Sequence, residues 1–487
     1  MNDADDTICA IATPVGEGGV GIIRLSGKQA LNIAATLVRP RNQRSLFSLE
    51  SHKLYLSDIF THELPASSIG SEPTSELLDQ ALVVVMRGPR SYTGEDVVEI
   101  HAHGGPFLLQ KICEALIQHG ARLAQPGEFT KRAFLNGRLD LVQAEAVLDT
   151  IRATTSASLK SAQRQLQGEL SRTITGLRET LLQLLAHLEA GLDFVEEDIQ
   201  FVEPQTLEQT LTHVCQTLHT LLGTFMHGRI LREGAHVAII GRPNVGKSSL
   251  LNALVRKDRV IVSPVPGTTR DVIEELLSVD GLPIRLHDTA GLHGTEDMLE
   301  VEGIRRTRDV IAQSDLLLLL LDGSTPLTED DRTLVKDCVG NRCLIVVNKC
   351  DLFPALTPSE MTALLESIFQ QQEATSLSSA RYPAVLWISA KTGQGLDVLQ
   401  KAIKETLIGS LPEVGQSVVV THLRHYEALQ RAAASVEQAL KTLHGGLAPE
   451  CLAIDIRLSL DALGEIVGIV THEDVLDRIF QQFCIGK

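Results

Sequence analysis

The sequence lacks the features that mark a membrane or secreted protein. A membrane-spanning helix needs about 20 consecutive apolar residues, and no apolar run in the sequence is that long. The acidic segment 1–6 does not resemble a signal peptide. The eight cysteines are scattered, with no Cys-x-x-Cys pair and no zinc spacing. Such a distribution favours free thiols in a reducing compartment. We therefore expect a cytoplasmic protein with no membrane association.

Positive charge is also scarce. The chain has 44 Lys and Arg against 61 Asp and Glu, a net charge of −17 at pH 7. A general nucleic-acid coat needs a positive field, so the balance excludes that class and leaves RNA contact only to a local basic patch. With 487 residues, the chain is long enough for two to four domains with sizeable cores.

Residues 241–248 form a complete phosphate-binding motif, Gly-Arg-Pro-Asn-Val-Gly-Lys-Ser. The run before it, 236–240, is strand-like, and the run after it, 249–254, predicts a helix. A Gly-rich turn between a strand and a helix lets backbone N–H groups converge on phosphate oxygens. Lys247 then supplies positive charge to the outer phosphates and Ser248 a hydroxyl to Mg²⁺. This segment predicts a nucleoside triphosphate site.

Three further segments follow, each at the end of a strand-like run. In Asp-Thr-Ala-Gly at 288–291, the carboxylate can hold Mg²⁺ through water and the glycine can offer its N–H to the γ-phosphate. In Asn-Lys-Cys-Asp at 348–351, the aspartate can accept hydrogen bonds from guanine N1 and N2, a donor pair that adenine lacks. Ser-Ala-Lys at 389–391 can place a backbone N–H near guanine O6. Four such segments in this order predict GTP.

The segment 263–271, Ser-Pro-Val-Pro-Gly-Thr-Thr-Arg-Asp, matches a first switch loop. Thr269 can reach Mg²⁺ and the γ-phosphate. Arg270 is a weak candidate for an arginine finger and is explained better as an ion-pair partner of Asp271. A monovalent cation near Asn244 could replace such a finger. We predict GTP contacts at Asn244, Val245, Gly246, Lys247, Ser248, Ser249, Ser263, Pro264, Val265, Pro266, Gly267, Thr268, Thr269, Asp288, Thr289, Ala290, Gly291, Asn348, Lys349, Asp351, Ser389, Ala390 and Lys391.

The catalytic residue is less evident. Leu292 occupies the position where the commonest switch GTPases carry a Gln that orients the attacking water, and leucine can neither accept nor donate a proton. Glu300 lies in a loop-like stretch before a predicted helix at 301–311. From the residues alone, positioning of water and capping of that helix explain Glu300 equally well.

The remaining chain divides by its hydrophobic pattern. Strand-like runs at 7–13, 19–25, 81–86 and 96–102 alternate with helical stretches. Beyond residue 140, leucines recur at three- or four-residue spacing, as in amphipathic helices. The prediction is a multidomain α/β plus α protein. Its parts are an α/β domain (1–138), an α-helical domain in two pieces (139–233 and 411–487), and an inserted Ras-like P-loop GTPase domain (234–410).

Two features lie outside the GTP motifs. His101 and His103 share one face of a predicted strand, where a metal pair could form, but no third ligand is near and packing explains them better. Cys484 is followed by residues that do not fit prenylation. Its thiol is either reactive or incidental, and the residues alone favour the second.

Several segments together resemble the MnmE (TrmE) family of tRNA-modification GTPases, essentially end to end. Besides the GTP motifs, the matching segments are 6–8, 18–22, 92–96, 103–106, 126–130, 132–136, 139–141 and 483–487. The final Cys-Ile-Gly-Lys and the N-terminal segments are far more specific than the GTPase motifs. Residues 39–78 and the loop after 352 match poorly, and nothing is transferred there.

The resemblance implies an N-terminal folate-binding domain through which homodimers form. It also implies a heterotetramer with the FAD-dependent MnmG (GidA), which adds a carboxymethylaminomethyl-type group to C5 of the wobble uridine of certain tRNAs. 5-Formyl- or 5,10-methylene-tetrahydrofolate would supply the one-carbon unit. The folate contacts implied by motif matching are Arg24, Glu99, Arg138 and Lys487.

The resemblance further implies a potassium-dependent GTPase whose GTP domains dimerise. Glu300 becomes the water-orienting residue and Cys484 a candidate functional thiol. The implied metal ligands are Asn244, Ser263, the Val265 carbonyl and Thr268 for K⁺, and Ser248 and Thr269 for Mg²⁺.

Two other classes remain open. A ribosome-assembly GTPase often shares a leucine at the position of Leu292, but it generally carries a basic RNA-binding module, which this sequence lacks. A folate-dependent aminomethyl-transfer enzyme would explain the N-terminal domain and leave the GTP motifs without a role.

Overall fold

The computed structural model describes residues 6–61, 76–193, 203–258, 274–288, 314–338, 341–373, 383–409, 418–470 and 473–487. Contacts within the chain define two compact units. Unit 1 comprises Met1–Leu148, Ser171–Arg178 and Leu463–Lys487, and unit 2 comprises Asp149–Leu170 and Glu179–Ala462. Among the described residues, no helix is both long enough and apolar enough to cross a membrane.

Strands and helices alternate through much of the chain. The strands are β1 (Ile8–Ile11), β2 (Gly18–Ser26), β3 (Val38–Pro40), β4 (Leu54–Phe60), β5 (Leu77–Met86), β6 (Val97–Gly104), β7 (Arg122–Leu123), β8 (Ala235–Ile240), β9 (Glu274–Val279), β10 (Leu282–Asp288), β11 (Leu316–Asp322), β12 (Cys343–Asn348) and β13 (Ala384–Trp387). The helices are α1 (Ala30–Leu37), α2 (Pro106–Gln118), α3 (Glu128–Leu135), α4 (Leu141–Arg152), α5 (Ser156–Leu166), α6 (Glu169–Asp193), α7 (Pro204–Gly223), α8 (Phe225–Glu233), α9 (Lys247–Asp258), α10 (Glu329–Cys338), α11 (Pro358–Glu373), α12 (Leu396–Ile408), α13 (Leu423–His444), α14 (Pro449–Val467) and α15 (Glu473–Phe480), with a short 3₁₀ helix at Leu46–Ser48.

Unit 1 is built on a seven-stranded sheet in the order β3-β4-β5-β6-β2-β1-β7. Its neighbouring strands pair antiparallel except β1 and β7, which run parallel. The register of β2 and β6 places Arg24 opposite Glu99. Apolar residues of α1 and α2 pack on this sheet in one buried core, which includes Ile33 and Ile112.

The last helix of the chain is part of unit 1. Leu476 and Phe480 of α15 and Phe483 beyond it form a buried cluster with Leu141 and Leu148 of α4. This packing brings the final residues, which include Cys484, to the sheet of unit 1. The contact is favoured because α15 has its apolar residues on one side.

The sheet of unit 2 has six strands in the order β13-β12-β11-β8-β10-β9. All its pairs are parallel except β9 with β10. Residues 316–321 of β11 are six leucines, all buried, as expected for a central parallel strand covered on both faces. Alternate leucines enter two different cores, one on each face.

The helical part of unit 2 contains both connections to this sheet. Helix α8 leads into β8, and the segment before α13 follows the sheet. Gly228 of α8 lies against this segment so closely that a Cβ would be 2.0 Å from the Val420 carbonyl oxygen. Gln165 also donates to the Val419 carbonyl oxygen at 3.1 Å. The chain therefore leaves and re-enters the helical part at one place.

The fold class predicted from the sequence is confirmed. All four strand-like runs predicted before residue 138 are strands, namely β1, β2, β5 and β6. The hydrophobic pattern did not predict β4, which lies in the stretch 39–78 that matches the family poorly. Four of its exposed or half-buried positions are apolar or aromatic, so the alternation of polar and apolar residues is weak.

Candidate GTP site and a second charged site

The phosphate-binding motif connects β8 to α9. The strand ends at Ile240 and the helix begins at Lys247. Gly246 has a φ of +104°, and a Cβ there would lie 2.3 Å from Asn348 Nδ2. Only glycine satisfies both the backbone angle and the close approach. The predicted strand, turn and helix are thus present, with backbone N–H groups at a helix N-terminus.

Lys247 is almost fully buried, with 8% of its surface exposed. Its Nζ donates hydrogen bonds to the carbonyl oxygens of Gly241 at 2.7 Å and Arg242 at 2.9 Å. Ser248 and Ser249 are exposed on the first turn of α9. A buried ammonium and an exposed hydroxyl at a helix N-terminus fit a phosphate accompanied by Mg²⁺.

Arg242 fixes the outer side of the loop. Its Nε donates to Asp331 Oδ1 at 2.7 Å, and Asp331 is buried. The other oxygen of Asp331 accepts from the backbone and hydroxyl of Thr328, at 3.0 and 2.9 Å. Sequence reasoning missed Asp331. The only available signal was the Thr-x-x-Asp spacing at the start of α10, which is typical of a helix cap.

Asn348 joins three of the predicted segments. Its side-chain Nδ2 donates to the Val245 carbonyl oxygen at 2.9 Å, and its Oδ1 accepts from the Ala390 N–H at 2.9 Å. The residue is buried, with 2% exposed. The phosphate loop and the two segments predicted to bind guanine are therefore held together by one amide.

Asp351 is the candidate guanine acceptor. One of its carboxylate oxygens accepts from Ser389 Oγ at 2.6 Å, and this hydrogen bond holds the pKa of Asp351 below its ordinary value. Ser389 Oγ in turn accepts from the Thr392 N–H at 3.2 Å. Asp351 itself is exposed. An ionised, oriented carboxylate can accept two hydrogen bonds from one edge of a base.

Lys349 is held by a residue that the motifs did not include. Its Nζ lies 2.6 Å from Asp322 Oδ2, and Asp322 also accepts from the Ser324 hydroxyl at 2.6 Å. Burial raises the pKa of Asp322, but the bonds from Lys349 and Ser324 outweigh burial and lower it. The signal in the sequence was a carboxylate at the end of an all-leucine strand.

Part of the predicted site lies outside the described residues. Asp288 ends β10, and only its backbone is described. The expected potassium ligands beyond Asn244, the Thr269 ligand of Mg²⁺ and the water-orienting residue therefore stay predictions. The residues concerned are Ser263, Pro264, Val265, Pro266, Gly267, Thr268, Thr269, Thr289, Ala290, Gly291, Leu292 and Glu300.

A second charged site lies in unit 1, around Arg24. Its Nε pairs with Glu99 Oε1 at 2.8 Å, across the β2–β6 register. Its guanidinium carbon lies 5.2 Å from the ring centre of Tyr92 and 5.6 Å from that of Phe129. Such distances are typical of a cation–π contact. Arg24 Nη1 also donates to the Gly486 carbonyl oxygen at 3.4 Å.

The C-terminal residues complete this site. Gly486 has a φ of +95°, and a Cβ there would lie 2.4 Å from the Ile11 carbonyl oxygen. Burial and, to a smaller extent, repulsion by Arg24 lower the pKa of Lys487. Burial raises the pKa of Glu99, but the charge and hydrogen bond of Arg24 outweigh burial and lower it. Two cationic side chains thus lie near the Glu99 carboxylate, and Arg24 shifts the pKa of both Glu99 and Lys487.

The four predicted folate residues are not all in one cluster. Arg24, Glu99 and Lys487 are brought together, whereas Arg138 is exposed and its Nε donates to the Ser91 carbonyl oxygen at 3.2 Å. Cys484 is exposed near the end of the tail. Of the four, only Arg24 and Lys487 thus offer partly buried cationic side chains beside Glu99.

Beside this site lies a network built from the N-terminal motifs. Arg132, with 7% exposed, donates to Asp6 Oδ1 at 2.5 Å, to Glu128 at 3.0 Å and to Glu95 at 3.3 Å. Arg122 bridges Asp6 and Glu128 at 2.6 and 2.7 Å. Sequence reasoning used these motifs for recognition without assigning this role to their charges.

The histidine pair has separate partners. His101 Nε2 lies 3.2 Å from Glu99, and His103 Nδ1 lies 2.7 Å from Asp79. Within the described part of the chain, neither belongs to a group of three side chains placed to hold a metal.

Comparisons with known proteins agree along the whole chain. A family described as the MnmE helical domain matches residues 141–484, and one described as the GTP-binding protein TrmE N-terminus matches residues 7–138. The tRNA modification GTPase MnmE of Syntrophus aciditrophicus is 44% identical over 99% of both chains. The protein of that name from Moorella thermoacetica is 46% identical over 99% of this chain and 100% of its own. That from Heliobacterium modesticaldum is 43% identical over 99% of both.

Proposed function

Because this chain belongs to the MnmE family of tRNA modification GTPases, we propose that it uses GTP hydrolysis to support modification of tRNA. The product is a carboxymethylaminomethyl-type group on C5 of the wobble uridine of certain tRNAs. The observation that carries the proposal is the pairing, in one chain, of a nucleotide-binding sheet edge with a separate cationic cluster suited to a folate.

GTP would bind across the ends of β8, β12 and the segment after β13. Lys247 would exchange its two carbonyl partners for phosphate oxygens, and Asp351 would accept from guanine N1 and N2. Ser248 and Thr269 would hold Mg²⁺, while Asn244, Ser263, Val265 and Thr268 would hold K⁺. These cations neutralise phosphate charge that develops during hydrolysis.

Hydrolysis also needs a positioned water. Glu300 would accept a hydrogen bond from the water that attacks the γ-phosphate, since Leu292 cannot do so. Its side chain has the required acceptor, and family matching gives it this role. The potassium site would lie where the GTP domains of two copies dimerise.

A tetrahydrofolate, in its 5-formyl or 5,10-methylene form, would bind in unit 1. The carboxylate of Glu99 can accept from an N–H edge of the pterin, and Arg24, Lys487 and Arg138 can pair with the folate carboxylates. Arg24 is already held by two aromatic rings, so little side-chain entropy would be lost on binding. Cys484 lies beside this set as a candidate functional thiol.

The sheet of unit 1 also offers a surface for a second copy. Leu54, Leu56 and Leu82 of β4 and β5 are 53%, 46% and 42% exposed, and the strand register places Leu56 opposite Leu82. Adjacent exposed leucines favour an interface. We assign this face to the homodimer, and the heterotetramer would add the FAD-dependent MnmG (GidA).

The test is mass spectrometry of tRNA nucleosides from cells that lack this protein. Wild-type protein should restore the modified wobble uridine, and Lys247→Ala should not. Lys401→Ala, which removes an exposed lysine from α12, is the matched control and should restore it. A modified wobble uridine that persists unchanged in the deletion strain would contradict tRNA modification and favour a ribosome-assembly switch.

A further inference from the structure

Three metal-ligating side chains meet between two helices of unit 2, away from the GTP motifs. Cys215 and His219 lie one turn apart on α7, and Glu437 lies on the facing helix α13. One ligating atom from each lies within 4.8 Å of the other two. His219 Nε2 and Glu437 Oε1 are already 2.8 Å apart.

We propose that Cys215, His219 and Glu437 bind a zinc ion, with solvent as the fourth ligand. Residues i and i+4 of a helix lie on the same face, so α7 offers a thiol and an imidazole side by side. A thiolate, an imidazole and one carboxylate form a donor set suited to Zn²⁺, whereas Mg²⁺ and K⁺ prefer oxygen alone.

The distances suit a small tetrahedral ion. With ordinary zinc bond lengths, ligand atoms at the corners of a tetrahedron lie about 3.4–3.6 Å apart. The His219 and Glu437 atoms need only separate by less than about 1 Å. Cys215 Sγ lies within 4.8 Å of both atoms, so it need approach by no more than about 1.4 Å. His219 is exposed and the other two are partly buried, so rotation of the side chains is enough.

Two of the three candidate ligands border a hollow in the surface. His219 and Glu437 line it together with Gly223, Tyr426 and Gln430. A site with three protein ligands and one open position accepts water. The Tyr426 hydroxyl and Gln430 amide are 3.0 Å apart and supply polar groups at the edge of this hollow.

Metal binding would change the protonation of Cys215. Burial and, secondly, the negative charge of Glu437 raise the pKa of Cys215. A divalent cation would reverse this effect, because it stabilises the thiolate that it binds. Binding therefore forms a metal–sulfur bond and releases the thiol proton to solvent, with no change in oxidation state.

Zinc here would join the two helices beside the inserted sheet. Helix α7 precedes α8, which leads into β8, and α13 follows the return of the chain from that sheet. The ion would thus have a structural role, holding together the two helices from which the GTP-binding segment extends. Sequence inspection missed it because Glu437 lies 218 residues from His219 and the set has no Cys-x-x-Cys spacing.

The test uses the full-length chain, treated with chelator and titrated with Co²⁺ without nucleotide. Cobalt bound by a thiolate gives a near-ultraviolet charge-transfer band, which cobalt at an oxygen-ligand magnesium site does not give. We expect this band at one cobalt per chain, and we expect Zn²⁺ to abolish it by displacement.

Variants assign the band. Cys215→Ser should abolish it, and Cys451→Ser, which changes an exposed cysteine of the same unit, should keep it. Loss of a residue that hydrogen-bonds to a metal ligand typically weakens metal binding by about 10–100-fold, and loss of the ligand itself weakens it more. His219→Gln should therefore weaken Zn²⁺ binding by at least about 100-fold. Because His219 is exposed, that variant keeps the test valid if Cys215→Ser fails to fold. Absence of the band, or its survival in Cys215→Ser, would overturn the proposal.

Discussion

The phosphate loop of unit 2 and the charged site of unit 1 both present positive charge, but they are assembled differently. In the loop, Lys247 and the backbone donors come from one contiguous segment, and the lysine is bonded to carbonyls of its own loop. In unit 1, Arg24, Glu99 and Lys487 come from two strands and the chain terminus. A site formed by one contiguous segment concentrates recognition in a few groups, whereas a site assembled from distant segments distributes recognition over more of them.

The largest effect should come from the guanine acceptor. Asp351→Asn should lower kcat/KM for GTP by about 10⁴-fold, since a site built for a hydrogen-bonding edge rejects a mismatched one. Xanthosine triphosphate should restore turnover, because its C2 oxygen can accept from the new amide. Steady-state kinetics with both nucleotides measures this. Asp330→Asn changes an exposed carboxylate on α10 and should leave turnover of both nucleotides unchanged. Equal GTP turnover by Asp351→Asn and Asp330→Asn would show that guanine recognition does not depend on Asp351.

Catalysis should depend nearly as strongly on one group. Glu300→Ala should lower GTP turnover by about 10²–10⁴-fold and leave GTP affinity intact, because the side chain acts on water and not on nucleotide. Single-turnover hydrolysis and nucleotide titration separate the two quantities. Normal turnover in this variant would remove Glu300 from the mechanism.

The stability of unit 1 should depend on the ion pairs of Arg132. Arg132→Met leaves Asp6, Glu95 and Glu128 without their shared buried cation, and should lower the free energy of unfolding of this unit by about 3–5 kcal/mol. The single tryptophan, Trp387, lies on β13 in unit 2, so its fluorescence reports that unit while circular dichroism reports both.

We therefore expect the denaturation midpoint of Arg132→Met to fall by circular dichroism and to stay constant by Trp387 fluorescence. Lys131→Met is the matched control, since its partner Asp477 is half exposed and such pairs contribute less than about 1 kcal/mol. A parallel fall in the fluorescence midpoint would show that the two units do not unfold separately.

Folate binding should lose less from any one change. Arg24→Met should weaken tetrahydrofolate binding by about 10–100-fold, the effect of one charge-assisted hydrogen bond, with GTP affinity unchanged. Calorimetric titration of both ligands measures this, with Arg41→Met as a control that breaks an exposed pair. Complete loss of folate binding would mean that recognition is concentrated here as well.

The smallest effect should be an acid-sensitive stability of unit 1. Burial raises the pKa of Glu128, but bonds from Arg122, the Gln125 backbone and Arg132 outweigh it, and the pKa is lowered. The pKa of Asp6 is lowered in the same way. A carboxyl group whose pKa is lower in the folded than in the unfolded state stabilises the fold. That contribution is fully present above the unfolded-state pKa and is lost as the pH falls through the folded-state pKa. The denaturation midpoint of unit 1 should therefore decrease as the pH is lowered below about 4, and it should decrease less steeply in Arg132→Met. An equal pH dependence of the midpoint in both proteins would show that Arg132 does not lower the pKa of these carboxylates.

The same contrast explains what the sequence could predict. Gly246, Lys247 and Ser248 carry their context with them, since strand, turn and helix are adjacent in the chain. The parallel sheet then placed Asn348 and Ser389 at the same edge, as expected for strand ends. Fold class and family followed from these segments and from the N-terminal motifs.

Residues joined only by tertiary structure were not predicted from patterns. Arg24 and Glu99 are 75 positions apart, and family matching, not spacing, suggested their shared site. Asp322 and Asp331 were missed because a carboxylate at a strand end or helix cap is common. Their partners, Lys349 and Arg242, are fixed by pairing between distant segments that periodicity does not encode.

Asn348 has a consequence for mutational tolerance. Its side-chain amide donates a hydrogen bond to the Val245 carbonyl oxygen and accepts one from the Ala390 N–H, in a buried site. Aspartate has no donor, glutamine is one methylene too long, and leucine has neither group. Among variants of this chain that still bind nucleotide, position 348 should therefore be nearly invariant, although its side chain need not touch the nucleotide at all.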